Sequence, residues 1–168
     1  APEHEIENQR LIAKAGDDPK KARRIVRKKP PEGAPTWSRA TFDRLEAAER
    51  LGHVDTLQPP FSAIRRDALA AELPWCLAHG TGVIVYSPMQ SGLLTGSFTE
   101  ARAKSLGKDD WRSRSPEFQS PRLQANLALA DALRPIAARH NTTVGAVAVA
   151  WALVAPGVTG AIVGARNP

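Results

Sequence analysis

A chain of 168 residues, 42% hydrophobic and 24% charged, is long enough for one domain with a real core. It is shorter than the roughly 250 residues of a complete α/β barrel. One cysteine, Cys76, excludes a disulfide framework and any multi-cysteine metal site, and makes a reducing cytoplasm the expected location. No apolar run approaches about 18 residues and no signal-peptide pattern opens the chain, so the expectation is a protein that neither spans a membrane by a helix nor is exported.

The net charge of +6 is uneven: residues 1–41 hold 10 Lys/Arg against 6 Asp/Glu, and residues 42–168 hold 13 against 11. Seven bases stand within 18–29, at Lys20, Lys21, Arg23, Arg24, Arg27, Lys28 and Lys29, with Asp18 the single acid. Such a cluster offers a phosphate-neutralising surface for weak nucleic-acid binding, or else a solvated helix face.

Residues 4–29 favour two short helices, parted at Gly16-Asp17-Asp18-Pro19. Lys29–Ser38, with three prolines and a glycine, is a linker, which divides the chain into a basic helical segment with its Pro-rich linker (1–37) and a second region (38–168). Ser38 or Thr41 can cap a helix through about Leu51, with Phe42, Leu45, Ala48 and Leu51 on one buried face and Gly52 ending it.

The pattern then alternates. Val54–Gln58 is a strand stopped by Pro59-Pro60, and 63–79 is helical, bent near Pro74 and ended by His79-Gly80. Gly82–Tyr86 is a second strand. Residues 87–117 form a long polar loop with a helical turn at 98–105. A helix over 120–140 carries Leu123, Leu127, Ala130, Leu133 and Ile136 on one face, bent by Pro135. Another runs over 143–154 from a Thr142/Thr143 cap, and Val158–Val163 is a third strand. Strands and helices at this spacing imply parallel pairing through right-handed crossovers. Three strands cannot close a barrel, so the sheet should keep two open edges at which the chain could self-associate. Both ends of the chain read as cut rather than finished.

Three segments carry a resemblance: Val54–Ser62, Ile84–Gly96 and Pro156–Asn167. In this order, and with suitable helices between them, they resemble the carboxyl-terminal half of the aldo-keto reductases, (β/α)8-barrel enzymes that use NADP(H). The resemblance covers about residues 42–168 and implies a partial TIM barrel, roughly the last three β/α units, preceded by the short basic segment. It also implies an oxidoreductase that interconverts a small carbonyl and an alcohol with NADPH.

The resemblance implies that Gln58 meets the nicotinamide carboxamide and that Tyr86 stacks on the nicotinamide ring. Ser87, Met89, Ser91 and Leu93 lie on a loop whose backbone amides and hydroxyls hold the pyrophosphate, with Gly92 and Gly96 making its tight turns. Gly164 and Arg166 meet the adenosine 2′-phosphate, which favours NADPH over NADH. For Gln58, Tyr86 and Arg166 the alternative is structural: a strand-end amide, a core tyrosine, a surface arginine.

The family's aspartate, tyrosine acid, lysine and histidine come from the first half of the barrel. The single tyrosine here, Tyr86, already fills the stacking position, so no catalytic residue is assigned and the chain alone is expected to lack reductase activity. At the Ser-Asn pair after the family's fifth strand, this chain has Trp37-Ser38-Arg39-Ala40. His4, His53, His79 and His140 lack metal-ligand spacing, and no P-loop or Gly-x-Ser-x-Gly elbow occurs. Cys76 reads as a core thiol, and Asp109-Asp110 and Arg65-Arg66 as solvated pairs. Residues 1–37 fall outside this resemblance; their Lys-Pro-Pro-Glu-Gly…Trp-Ser run resembles a linker of insertion-sequence transposases over about ten residues. That leaves two further readings, a nucleic-acid-binding or interaction protein acting through 18–29, and a vestigial fusion product.

Overall fold

The computed structural model describes residues 36–165, so the helices expected over 4–29 and the side chain of Arg166 lie outside the described residues. Its order is α1 (Thr36–Leu51), β1 (Thr56–Leu57), α2 (Glu72–His79), β2 (Gly82–Tyr86), α3 (Glu100–Lys104), α4 (Arg122–Ala132), α5 (Arg134–Arg139), α6 (Val144–Leu153) and β3 (Gly160–Ile162), with 3₁₀ turns in the loops. The strands form a parallel sheet in the order β1-β2-β3, an α/β arrangement that fits a partial barrel.

β2 matches its expected bounds because a β-branched run between Gly80 and Pro88 has no better local option. Its side chains alternate sharply: Val83 and Val85 are fully buried, while Ile84 and Tyr86 are 39% and 40% exposed. The valines face a core that includes Phe61, Leu69, Leu73, Trp75, Cys76 and Ala152. Register sets the opposite face. Thr56 pairs with Gly82, Leu57 with Val83 and Pro60 with Tyr86, so one constant offset puts Gln58 opposite Ile84. On the other side Ile84 pairs with Gly160 and Tyr86 with Ile162. The exposed face therefore carries Gln58, Ile84, Tyr86 and Ile162.

Several local expectations change in the folded chain. β1 is shorter than Val54–Gln58, yet Pro59-Pro60 does not end the pairing: the Tyr86 amide donates to the Pro59 carbonyl at 3.1 Å and the Phe61 amide to the Tyr86 carbonyl at 3.1 Å. Proline lacks a donor but still accepts. The stretch 63–79 is a 3₁₀ turn, Asp67–Leu69, followed by α2; Pro74 lies in the first turn of α2, where its missing N–H leaves no bond unmade, so it bends nothing. Gly80 ends α2 in the left-handed conformation, its amide donating to the Cys76 carbonyl.

α1 begins at Thr36, which puts Ser38 and Thr41 inside the helix rather than at its cap. Of its expected apolar face, Leu45 is buried and Phe42 packs on the core, but Ala48 is exposed and Leu51 is 93% exposed. The helix is tied to α2 through Glu46, which accepts from Trp75 Nε1, and the His79 ring stacks on Trp75 at 4.0 Å. The helix over 120–140 breaks at Leu133, with Pro135 in the first turn of α5; of its expected stripe Leu123, Ala130 and Leu133 are buried, while Leu127 and Ile136 are only partly so. Thr143 caps α6, its hydroxyl accepting from the Ala146 amide. Ala148, Ala152 and the Phe61–Trp151 stack bring α6 against the sheet.

Candidate functional site

The carboxyl ends of the three strands lie side by side, the edge at which α/β proteins seat ligands. Gln58 is exposed there beyond β1, Tyr86 ends β2 with its ring partly open, and Gly164, exposed, follows β3, where an added β-carbon would meet nothing within 4 Å among the described residues. The structure thus brings Gln58 and Tyr86 onto one face.

From Tyr86 the chain enters a loop held in an uncommon conformation. Ser87, Gln90 and Ser91 have φ of 58°, 46° and 52°, and Gly92 and Gly96 have 105° and 79°. L side chains are disfavoured at positive φ, so a loop that visits it three times must be held by its surroundings. Leu93 and Leu94 are fully buried and anchor it in different clusters, Leu93 with Phe118 and Leu123, Leu94 with Ala130, Leu133 and Ala148. The Leu93 side chain is thereby committed to the core, and only its backbone can meet a ligand. A β-carbon on Gly145 would lie 3.1 Å from Met89 Sδ, so Met89 packs on α6. Gly96 tolerates no side chain, because a β-carbon there would lie 2.8 Å from Val144.

Polar groups from three other segments reach the same loop. Ser62, fully buried, donates to Gln90 Oε1 at 2.9 Å while its oxygen accepts from the Ile64 and Arg65 amides. Arg112 donates to the Ser91 carbonyl at 3.4 Å, and Arg134 to the Gly96 carbonyl at 2.7 Å. Each arginine is held by an aspartate: Arg112 Nε lies 2.9 Å from Asp110 Oδ1 with Nη2 on Oδ2, and Arg134 Nε lies 2.7 Å from Asp131 Oδ1. The Arg112 guanidinium holds the Asp110 carboxyl at a pKa of about 2, so Asp110 is a paired group and not a merely solvated one.

Ser62, Arg112 and Arg134 were not singled out from sequence. The Asp131/Arg134 spacing signals a helical ion pair, but nothing local identifies the carbonyl it serves. Elsewhere, Cys76 is a buried thiol pushed up to about 12, by burial first and then by the charge of Glu72. His53 lies 3.0 Å from Glu49, and His79 is taken up by Trp75. Among the described residues no group of three or more His, Cys, Asp and Glu could hold a metal ion, and no helix is long and apolar enough to cross a membrane.

A parallel sheet backed by helices, with its loops gathered at the strand carboxyl ends, defines a segment of a (β/α) barrel. A solved structure shares this fold: the chain superposes on the glycerol dehydrogenase AKR11B4 of Gluconobacter oxydans with a TM-score of 0.65 at 24% identity, covering 94% of this chain and 56% of that one. The sequence completes the assignment. Residues 37–168 match the aldo/keto reductase family, and the chain belongs to it.

Among curated relatives, the aldo-keto reductase YhdN of Bacillus subtilis is 30% identical over 132 residues, 78% of this chain and 39% of its own. The NADH-specific methylglyoxal reductase of Escherichia coli is 28% identical over 126 residues, 75% of this chain and 37% of its own. A probable voltage-gated potassium channel subunit beta of Arabidopsis thaliana is 31% identical, over 80% of this chain and 42% of its own. The chain therefore spans about two fifths of the length of these relatives. Residues 1–62 match a domain of unknown function, DUF3516, in place of the transposase linker expected there, and this match overlaps the reductase region from residue 37.

Proposed function

We propose that residues 38–168 are the cofactor-holding part of an aldo-keto reductase, with Gln58, Tyr86, Ser87, Met89, Ser91, Leu93, Gly164 and Arg166 around NADPH. The observation that carries this reading is the half-open Tyr86 ring at the end of β2, leading directly into a loop of left-handed residues. When bound, the cofactor supplies the hydride. Tyr86 offers a flat ring against which nicotinamide can stack, and Gln58, on the same face, offers an amide that both donates and accepts. Backbone amides and hydroxyls of the 87–92 turn suit the pyrophosphate.

Preference for NADPH rests on Arg166, whose guanidinium suits a 2′-phosphate. The Escherichia coli relative, named as NADH-specific, makes that choice a matter for measurement.

The chain has one tyrosine, already in the stacking position, so it holds no tyrosine to protonate a carbonyl and turns over no substrate alone. Small-carbonyl reduction requires the remaining barrel units. Among the described residues β1 and β3 each pair on one side only, and their other edges are where those units, or a second copy, would pair. The proposed location is the cytoplasm.

Calorimetric titration of the purified chain with NADPH and NADH tests the reading. Saturable NADPH binding, weaker with NADH and weakened by Tyr86→Ala and Arg166→Ala, is expected. A folded chain that binds neither dinucleotide overturns it.

A second reading draws on the seven bases of 18–29, which suit a nucleic-acid backbone. It predicts steeply salt-dependent DNA binding that disappears when Lys20, Lys21, Arg24 and Lys28 become alanine.

A further inference from the structure

We propose that Arg112 and Arg134 are positioning residues of loop 87–96, each held by an aspartate and gripping a loop carbonyl so that the backbone keeps the shape in which it meets a dinucleotide phosphate. The inference rests on the reading of that loop as cofactor-holding, and adds which side chains maintain it.

The loop carries three non-glycine residues at positive φ within five positions, Ser87, Gln90 and Ser91. Such a backbone relaxes unless it is over-determined from outside. Its carboxyl half is pinned by Leu93 and Leu94, which are fully buried. The Ser62 hydroxyl holds the side chain of Gln90. Within the loop the Gln90 amide donates to the Ser87 carbonyl, the Gly92 and Leu94 amides to the Met89 carbonyl and the Thr95 hydroxyl to the Gly92 carbonyl; the two guanidiniums add a hold from outside the loop, through the Ser91 and Gly96 carbonyls.

The two arginines use the same construction, from separate elements. In Arg112, Nε and Nη2 are taken by Asp110, leaving Nη1 for the Ser91 carbonyl. In Arg134, Nε is taken by Asp131 and Nη2 reaches the Gly96 carbonyl. The planar fork lets one head group join a carboxylate and a carbonyl in fixed relative directions, with charge-assisted bonds on both sides. A lysine ammonium keeps the charge but has no such fork. The aspartates cancel the arginine charge locally, so the pairs contribute direction more than a positive field. Arg112 comes from the 3₁₀ turn Trp111–Arg114 and Arg134 opens α5, so two parts of the fold converge on one loop.

Charge and grip separate in Arg112→Lys and Arg134→Lys, made singly and together in the full chain, with exposed Arg139→Lys as the control. Amide hydrogen exchange over 87–96 is measured without ligand, thermal melting is recorded, and NADPH affinity is taken by calorimetry. We expect exchange confined to 87–96 to quicken, affinity to fall about tenfold in each single variant, and melting to track the control; tenfold is the loss of one modest charge-assisted bond. Exchange at the wild-type rate in both lysine variants overturns the grip. Faster exchange with unchanged affinity overturns its role toward the ligand. If wild-type chain binds no NADPH while the variants still exchange faster, the grip stands and the cofactor reading falls.

Discussion

Glu72 opens α2 with its side chain in the core: it is 3% exposed, and among the described residues Oε2 has no hydrogen-bond partner. Burial, the largest cause, raises its pKa from 4.5 to about 7; its own backbone N–H opposes the rise, nearby Asp67 adds to it, and Arg65, 3.7 Å from Asp67, draws it slightly back. Below pH 4.5 the carboxyl is protonated in folded and unfolded chains alike, and its contribution to stability is fully present. Between 4.5 and 7 the unfolded chain releases the proton while the folded chain retains it, so stability falls as pH rises, and it levels off above 7. At about 1.4 kcal/mol per pH unit, the loss is on the order of 3 kcal/mol.

Glu72→Gln removes the titration while leaving a neutral polar group of similar size in the same place. Urea unfolding of both proteins from pH 5 to pH 8 should show the wild-type curve falling relative to the variant, by about 2–3 kcal/mol over that span. At pH 5 the two should nearly coincide, because the buried amide is no better partnered than the protonated acid. Curves that run parallel across the range would refute the burial argument, since they would mean that Glu72 titrates normally in the folded chain.

Gly96→Ala should cost ~2–4 kcal/mol in urea unfolding, because a β-carbon would both meet Val144 at 2.8 Å and sit at a φ of 79°; adding Val144→Ala should recover the steric part and leave the conformational part. Thr143→Ala removes the α6 cap and should cost ~1 kcal/mol by the same measurement, with Thr143→Ser retaining most of it. Cys76 should resist a thiol reagent at pH 8 in the folded chain and react fully in denaturant, because burial pushes the thiol up to about 12; fast native labelling would show that α2 opens readily.

Much of the fold was legible from local chemistry. The Gly80 stop, the Thr143 cap, the bounds of β2 and the buried stripe through Leu123, Ala130 and Leu133 follow from backbone conformation, capping and periodicity, which act within a few residues. Periodicity marked a strand in each of the three segments that carry the family resemblance, while the family itself came from the resemblance. The features that shape the loop were not, because they join residues far apart in the chain: Ser62 to Gln90, Arg112 to Ser91, Arg134 to Gly96. Burial escaped local reading in both directions. The periodicity that marks Leu51 as a core residue cannot know that α1 is gripped through Glu46 and Trp75, leaving Leu51 open. Likewise Glu72, polar by type, lies in the core because the helix it begins packs against the sheet. Sequence by itself determined which residues turn, cap and alternate. Which of them are drawn out of water, and which carbonyl each charge finds, depended on through-space packing that only the tertiary structure establishes.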